Sequence, residues 1–238
     1  MLISPAMLSK LAAATFFYFL FIDVFQNTPA ILETWPLWMA PVLYTVFLFL
    51  FDDFSRFFVH RCLHRWPLLW AFHKIHHTAE TLTPFTVYRT HPIEGIIFGL
   101  RATFVQAVSI SLFVSLFGKN IDLVEIFGVN FLLFIFNVTG SNLRHSHVSI
   151  RYPRILEHVL ISPAQHQVHH SIDPQHHDCN YGAAFAIWDL FGKSLKLSQE
   201  SQNLRFGIID DSKFSEHTLR GLYLNPFVEV RTLLSRLF

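Results

Sequence analysis

From His60 to His77 the chain reads HRCLHRWPLLWAFHKIHH, a stretch with five histidines in two short boxes. The spacing of the second box, H-x-x-H-H, returns between His166 and His170 as HQVHH. Imidazole is the commonest metal ligand in proteins. Residues three and four apart share one face of a helix, so each box could direct its rings toward one point. Three such boxes in one chain indicate more than one metal ion.

The chain is too apolar for an ordinary soluble domain. Its 238 residues are 52% hydrophobic and only 15% charged, and the mean hydropathy is +0.37. A soluble domain of this length carries about a quarter charged residues. There are 27 phenylalanines but nine glycines, so the excess is apolar bulk rather than loop. The composition therefore favours a membrane protein.

Four apolar blocks are long enough to cross a bilayer, which takes about 20 residues as helix. The first block is not followed by a small-residue cleavage site, so we interpret it as a retained span rather than a signal peptide. The short links Gln26–Trp35 and Gly118–Asn120 predict two tight helical hairpins. The four predicted spans are about Leu8–Phe25, Pro36–Phe58, Ile93–Phe117 and Ile121–Val138.

The distribution of basic residues predicts an orientation. Of eighteen lysines and arginines, only Lys119 lies in the two hairpin links. The positive-inside rule then places both termini and all three histidine boxes on the cytoplasmic side. We therefore predict an all-α integral membrane bundle of about four transmembrane helices, with a cytoplasmic histidine-rich helical cap that holds a di-metal centre. Residues 1–238 form one domain in this interpretation.

The histidines outside the boxes have weaker spacing signals. His91, in RTHPIE, is more typical of a hydrogen-bonded structural residue than of a ligand when taken alone. His145 and His147 are two residues apart, so both cannot face one metal from a helix. We expect at most one ligand from that pair. The remaining histidines are expected in solvated or structural positions: His158, His176, His177 and His217.

Two aspartates interrupt the second predicted span one to two turns before His60. Ionisable residues at membrane depth are costly, and are usually paired or functional. Asp52 and Asp53 could pair with Arg56 at the membrane boundary. Alternatively, one carboxylate could accept the free N–H of a ligand histidine and fix its tautomer. The sequence favours neither alternative.

Three further features complete the prediction. Cys62 and Cys179 lie on the predicted cytoplasmic side, where thiols stay reduced, so we expect both to be free and structural. Trp188 to Gly192 is expected to close the site after the last box. The segment Pro226–Phe238 has the spacing of an amphipathic helix that lies on the membrane or packs under the bundle. We favour packing.

The ordered set of motifs resembles the fatty acid hydroxylase/sterol desaturase superfamily. The set is H-R-x-L-H, H-K-x-H-H, T-H-P-x-E, R-H-S-x-V, S-P-A-Q-H-Q-V-H-H, N-Y-G and I-W-D-x-F-G. Each motif alone is weak, but the order is specific, and the resemblance covers roughly residues 45 to 195. The motifs are carried by His60–His64, His73–His77, Thr90–Glu94, Arg144–Val148, Ser162–His170, Asn180–Gly182 and Ile187–Gly192.

The resemblance implies a centre of two iron ions, for which zinc could substitute in purified protein. His147 stands where many members of the family have asparagine, so either His145 or His147 could be the ligand. No catalytic residue is implied beyond the metal centre. The candidates for groups that orient the ligands are Asp52, Glu94 and Asn180. The implied ligands are His60, His64, His73, His76, His77, His145, His166, His169 and His170, with His91 as a tenth.

The predicted function is an oxygen-dependent hydroxylation or desaturation of a C–H bond in a lipid, such as a fatty acyl chain or a sterol. The chain has no dinucleotide-binding fingerprint and no P-loop. Electrons must therefore come from a separate donor protein of the cytochrome or ferredoxin type, with its reductase. We expect no nucleic-acid partner. The resemblance is compatible with a bacterial inner membrane or the endoplasmic reticulum.

Two functions from other classes are alternatives. A membrane haem-binding electron carrier would need histidines on different spans that face each other in pairs, whereas these histidines are clustered. A metal transporter would need ligands or carboxylates near the midplane of several spans, whereas the boxes lie outside the predicted spans. Both alternatives explain the histidine pattern less well than an oxygenase does.

Overall fold

The computed structural model describes residues 15–16, 18–22, 30–118, 136, 143–200, 204–208 and 218–236. These residues form helices and loops, with two isolated β-bridges, Leu160–Phe185 and Ser171–Phe206, and no strand. The all-α prediction is therefore confirmed for this part of the chain. The α-helices are α1 (Met39–Arg65), α2 (Pro67–His77), α3 (Pro92–Phe117), α4 (Pro163–His169), α5 (Ile187–Gly192) and α6 (Leu219–Leu234).

Short 3-10 helices connect several of these elements, and the chain divides into two compact units. One unit comprises Met1–Ser55 and Ile96–Ile135, and the other comprises Arg56–Gly95 and Phe136–Phe238. Both α1 and α3 contribute residues to each unit. The 3-10 helices are Pro84–Tyr88, Leu156–His158, Pro174–His176 and Ser198–Glu200.

The first unit has an apolar core between α1 and α3. Tyr44 is fully buried, its ring meets Phe113 edge to face at 5.3 Å, and its hydroxyl accepts a hydrogen bond from Gln106. Residues at spacings of four share a helix face, and α1 places Ala40, Tyr44 and Leu48 in this core. On other faces of α1, apolar side chains such as Val42 and Val46 are exposed. The first turns of α1 are therefore apolar on more than the face that packs in the core.

One described helix, α3, is long and apolar enough to cross a membrane by length and composition. Helix α1 covers the second predicted span and continues without a break into the first histidine box, ending at Arg65. Most of the first predicted span and nearly all of the fourth lie outside the described residues. The number of spans and the cytoplasmic orientation therefore stay predictions.

Asp52 has a partner that neither sequence alternative named. The guanidinium of Arg101, on α3, lies 2.8 Å from its carboxylate and also donates to the backbone oxygen of Asp52 and to Ser55 Oγ. Both charged side chains are buried, and pairing offsets the cost of holding them in apolar surroundings. Asp52 thus serves the contact between two helices, and we do not retain it among the groups proposed to orient a ligand.

In the second unit, local sequence signals fix where the histidine boxes lie. The first box occupies the last turns of α1, and Pro67, a favoured first residue of a helix, starts α2, which ends on the second box. Helix α4 carries the third box. It begins with a capping box in which Ser162 Oγ accepts from the N–H of Gln165, and Gln165 Oε1 accepts from the N–H of Ser162.

The C-terminal helix packs against α2, as the packing interpretation expected, but it begins seven residues earlier than the predicted segment. Thr218 caps it by accepting from the N–H of Gly221, and Pro226 lies inside it. Phe227 meets the Phe72 ring at 5.4 Å. Lys74 and Glu229 form an ion pair. The helix therefore supports the element that carries the second box.

Replacing Arg101 by leucine should strongly destabilise the contact between α1 and α3. The Asp52 carboxylate would lose the guanidinium that neutralises it, and removing one partner of a buried pair costs about 3–5 kcal/mol. The expected result is a lower thermal unfolding midpoint for the purified protein in detergent micelles. The double variant Asp52→Asn/Arg101→Gln, which removes both charges, should recover most of the loss. Equal stability of Arg101→Leu and the parent protein would contradict this role.

Candidate metal centre

The second unit brings nine histidines together in two groups. Within each group, one ring nitrogen from every histidine lies within 4.8 Å of the others. Each group therefore has the composition and spacing to hold a metal ion. The first group is His60, His64, His73, His77 and His169, and the second group is His76, His145, His166 and His170.

The two H-x-x-H-H boxes are each divided between the groups, which differs from the expectation that each box aims at one point. His73 and His77 join the first group, whereas His76 joins the second. In the third box the assignment is reversed, because His166 and His170 join the second group and His169 joins the first. A helix turns about 100° per residue. Residues i and i+4 are therefore about 40° apart, whereas adjacent residues i+3 and i+4 face different directions.

The spacing of the nitrogens suits a bound transition metal. His64 Nε2 and His73 Nε2 are 3.1 Å apart, and His145 Nε2 lies 3.0 Å from His76 Nε2 and 2.9 Å from His166 Nε2. Two nitrogens that bind one ion at about 2.1 Å, at a right angle, are about 3 Å apart. The observed spacings therefore match adjacent ligands of a single ion.

Several ring nitrogens have no hydrogen-bond partner among the described residues. They include His77 Nε2, His169 Nε2 and His170 Nε2, all of which are buried. A buried polar atom without a partner costs about 1–3 kcal/mol. A metal ion in each group would satisfy these nitrogens, so the residues present fit a pair of ions.

Backbone carbonyls orient two rings of the first group, and a carboxyl group lies beside a third. His60 Nδ1 donates to Tyr181 O at 2.8 Å, and His169 Nδ1 donates to Cys179 O at 2.7 Å. These bonds place the ring proton on Nδ1 and leave the Nε2 lone pair for a metal. Glu94 Oε1 lies 3.0 Å from His73 Nδ1, and both side chains are buried. Glu94 was a predicted orienting group, and the structure brings its carboxyl group next to His73; a role in orienting that ring stays a prediction.

Burial favours the neutral form, which binds metal, in eight of the nine histidines. It lowers the pKa of His73 to about 3 and, together with the charge of neighbouring His73, that of His76 to about 4. A neutral imidazole has the free lone pair that a metal requires. Burial, reinforced by the neighbouring histidines, likewise holds the pKa well below its ordinary value in His60, His64, His77, His166, His169 and His170.

Of His145 and His147, the structure brings only His145 into the second group, where it is buried, whereas His147 is exposed. His91, the tenth implied ligand, is not brought to either group. Its Nδ1 accepts from the N–H of Ile93 at the start of α3, and its Nε2 donates to Tyr223 O on α6. Both of its ring nitrogens are thus used to anchor helices, which agrees with the structural interpretation of this residue.

Asn180 does not contact a box histidine through its described hydrogen bonds, but it fixes the loop that does. Its amide donates to the carbonyls of Gln165 and Lys196, and its oxygen accepts from the N–H of Lys196. The backbone of Asn180 is left-handed, with φ of 52°, a conformation that asparagine tolerates. Asn180 therefore positions the Cys179 and Tyr181 carbonyls only indirectly.

Asp189, in the I-W-D-x-F-G motif, holds the other side of the same loop. Its buried carboxylate accepts from the N–H groups of Tyr181 and Gly182 and from Ser194 Oγ. A Cβ on Gly182 would lie 2.5 Å from Phe185 O, so only glycine fits there. The N-Y-G and I-W-D-x-F-G motifs are thus linked by hydrogen bonds. Together they position the carbonyls that accept from His60 and His169.

The polar stretch after the third box is only partly solvated. His177 is exposed, as expected, but His176 is buried, and its Nδ1 lies 2.9 Å from Ser171 Oγ. Burial lowers the pKa of His176.

Cys62 and Cys179 are both free thiols, and burial raises the pKa of Cys179 to about 12. A thiol that stays protonated is a poor nucleophile, which supports a structural role for Cys179.

Two aromatic residues beside the first group were missed in the sequence. The ring centroid of Tyr181 lies 5.2 Å from that of His64 and 5.7 Å from that of His60. Trp70 lies 4.9 Å from His64 and 5.4 Å from His77. Trp70 precedes His73 by three residues and His77 by seven, so helical spacing alone could have placed it on the ligand face.

A pocket of about 360 Å³ opens beside the first group. Three ligand candidates of that group form part of its wall. The first group is therefore accessible from a cavity large enough for part of an organic molecule. The lining residues are His64, Trp70, His77, His169, Ser171, Ile172, His177, Asp178, Gly207 and Ile208.

The fold and the site define a helical protein with two buried histidine groups suited to two metal ions. Comparison with protein families gives the class a name. The fatty acid hydroxylase family model matches residues 45–194, and the chain belongs to this family. The resemblance predicted from the order of the motifs is thereby confirmed.

Individual relatives have related names. Lathosterol oxidase of Rattus norvegicus is 26% identical over 159 residues, 67% of this chain and 47% of that protein. Alkylglycerol monooxygenase of Caenorhabditis elegans is 28% identical over 206 residues, 87% of this chain and 36% of that protein. Delta(7)-sterol 5(6)-desaturase of Eremothecium gossypii is 31% identical over 157 residues, 65% of this chain and 38% of that protein. The chain spans less than half the length of each. No solved structure matches it significantly.

Adjacent histidines of one box should control different ions. We expect His77→Ala to weaken the ion of the first group and His76→Ala that of the second, because each variant removes a nitrogen from one group only. Elemental analysis of protein equilibrated with excess metal should find about two ions in the parent and about one in each variant.

The matched control is His147→Ala, which changes an exposed histidine two residues from His145 and should retain both ions. Spectroscopy of cobalt-substituted protein should also give different residual spectra for the two variants, since the remaining ion has a different ligand set. Identical residual spectra would contradict the division of the box.

Proposed function

We propose that the chain binds two iron ions in its two histidine groups and catalyses an oxygen-dependent hydroxylation or desaturation of a lipid C–H bond. The observation that carries this proposal is the convergence of a group of five and a group of four histidines, all buried except the half-buried His60 and His64, in a member of the fatty acid hydroxylase family. Relatives named for the oxidation of lathosterol, alkylglycerol and sterols support a lipid substrate.

The ligand set supports iron in a reactive site. Neutral nitrogen ligands suit first-row transition metals, including iron and zinc. A closed site with four ligands would be sufficient for one structural zinc ion, whereas nine histidines in two groups exceed that need. Zinc could replace iron in overexpressed protein. When bound, the two irons would supply the oxidising power, drawn from dioxygen and two electrons, that breaks an unactivated C–H bond.

The overall reaction fixes what else the protein must receive. Hydroxylation consumes dioxygen, two electrons and two protons and yields an alcohol and one water. Desaturation consumes the same reagents and yields an alkene and two waters. The electrons are proposed to come from a separate donor protein of the cytochrome or ferredoxin type with its reductase, since the sequence has no nucleotide-binding motif.

The residues of the chain contribute orientation and exclusion of water. The Tyr181 and Cys179 carbonyls hold the rings of His60 and His169, and Glu94 holds that of His73. Such outer groups maintain ligand direction and basicity. All four histidines of the second group are buried, whereas the first group faces the pocket. The substrate is therefore proposed to meet the centre on the side of the first group.

A membrane location fits this chemistry. Helix α3 has the length and composition of a span, and lipid substrates are dissolved in the bilayer. We propose a multi-pass protein whose histidine boxes lie on the cytoplasmic side, as the distribution of lysine and arginine predicts. The membrane would be a bacterial inner membrane or the endoplasmic reticulum.

The oxygenase proposal is tested by isotope incorporation. Purified iron-loaded protein with a donor protein, its reductase, a lipid extract and ¹⁸O₂ should give either labelled lipid alcohols or new double bonds. The absence of a Soret band and of metal uptake into vesicles would separate the oxygenase from a haem carrier and a transporter. If several donor and lipid combinations give neither product while both ions are bound, the proposed activity is wrong.

Glu94→Gln should identify Glu94 as a positioning residue. The variant keeps the shape of the side chain but replaces the carboxyl group that faces His73 Nδ1, whose pKa burial raises to about 7, by an amide. We expect metal affinity of the first group, or turnover, to fall by about 10–100-fold, the usual effect of losing such a partner. Circular dichroism should show an unchanged fold. Glu80→Gln, at an exposed carboxylate of the same unit, is the matched control, and an equal loss in this variant would remove the assignment.

A further inference from the structure

We propose that Tyr181 is a redox-active residue, which gives one electron to the oxidised metal centre when no lipid is in position to react, while its hydroxyl proton passes to Asp178. This inference rests on the proposed iron and dioxygen chemistry and adds a protective reaction to it. It is derived from the ring contacts of Tyr181, from the partner of its hydroxyl and from the exposure of that partner.

The ring of Tyr181 lies against the histidines of the first group. Its centroid is 5.2 Å from that of His64, 5.7 Å from that of His60 and 5.9 Å from that of His169. Of the six tyrosines, Tyr181 alone has such ring contacts within the part of the chain that the structure describes. Its side chain is only 1% exposed. An electron can therefore pass from this phenol to an ion held by the histidine rings, and a radical left on the ring would be shielded from solvent.

The hydroxyl of Tyr181 has a base in place to take its proton. It donates to Asp178 Oδ1 at 2.9 Å. A base takes a proton from an atom at about 2.6–3.2 Å, and the carboxylate lies within this range. The hydroxyl is thus directed to a carboxylate rather than to a metal ion, and this arrangement suits oxidation of the phenol.

The charges around Tyr181 favour loss of the proton together with the electron. The guanidinium of Arg61 lies 5.8 Å from the centroid of the ring, and a like charge nearby disfavours a positive charge on the ring. Transfer of the proton to Asp178 leaves the ring neutral. Asp178 lies 3.5 Å from Arg65, and its side chain is 43% exposed. The proton can therefore pass on to water, which keeps the carboxylate available as a base.

The step balances in atoms and electrons. The O–H bond of Tyr181 breaks, its proton forms an O–H bond with the Asp178 carboxylate, and the oxidised iron pair gains one electron. A neutral tyrosyl radical remains. It is reduced by an electron from the donor protein of the proposed reaction and regains a proton from Asp178. Oxidising equivalents that meet no lipid C–H bond are thereby removed, which serves the exclusion of competing reactions that a reactive cofactor requires.

The test follows radical formation in the full chain loaded with iron, in detergent micelles and without lipid. Reduced protein is mixed with dioxygen, frozen and examined by electron paramagnetic resonance. We expect a tyrosyl signal that narrows with ring-deuterated tyrosine and is lost in Tyr181→Phe. This variant keeps the ring and the backbone carbonyl that accepts from His60, so it should bind both ions. Asp178→Asn, which tolerates the same left-handed backbone, should slow the appearance of the signal by about 100-fold, as loss of a positioned base does.

Tyr223→Phe is the matched control. The carbonyl of Tyr223 also accepts from a histidine, and its ring lies 5.9 Å from that of His91, which belongs to neither group. This variant should retain the signal. A signal that persists in Tyr181→Phe, that is lost in Tyr223→Phe, or that ring-deuterated tyrosine leaves unchanged would overturn the inference.

Damage to the protein provides a second measurement. Trp70 is another oxidisable side chain beside the first group, with its ring 4.9 Å from that of His64. During repeated cycles of reduction and exposure to dioxygen without lipid, Tyr181→Phe should accumulate oxygen on Trp70 several times faster than the parent protein. Mass spectrometry of peptides measures this. Equal oxidation of Trp70 in the two proteins would contradict a protective role for Tyr181.

Mössbauer spectroscopy of the same frozen samples separates this inference from the oxygenase proposal, because it reports the oxidation state of the iron. If dioxygen oxidises the iron of the parent protein and no tyrosyl signal appears, the inference is wrong and the oxygenase proposal stands. If dioxygen leaves the iron reduced, the proposed function is wrong, and the inference fails with it.

Discussion

The crowding of nine imidazole rings in one region is the constraint on which the second unit depends. Burial lowers the pKa of eight of them, including His73 and His76, but it also leaves nitrogens such as His170 Nε2 without a hydrogen-bond partner among the described residues. Unsatisfied polar atoms oppose folding. Metal ions in the two groups would satisfy these nitrogens, and the neighbouring helices and loops hold the rings in place.

The supporting structure acts mainly through backbone carbonyls. His60 and His169 are both oriented by the loop that carries Cys179 and Tyr181. This loop needs the left-handed Asn180 and the carboxylate of Asp189. Side chains that never contact a metal therefore determine ligand direction. This explains why sequence motifs without histidine accompany the boxes.

The sequence predicted the helical class and the nine converging histidines, because helical spacing and residue type are both visible in it. It could not assign each histidine to a group, since that depends on how α2 and α4 face each other within the unit. His91 joined the implied ligands by resemblance, but Tyr223 O, 132 residues later, uses its ring. Similarly, Arg101 meets Asp52 across 49 residues. Such long-range partners leave no local signal.

The division of the boxes between the groups has a consequence for metal loading. Helices α2 and α4 each contribute histidines to both groups, so an ion bound in one group would also fix the helices that form the other. The second ion would then bind histidines that are already ordered, so its binding would not bear that loss of conformational entropy. Two ions that favour the same ordered state of the protein bind with positive cooperativity. At limiting metal, this protein should therefore populate mainly chains with both ions or with none, a distribution that independent sites would not give.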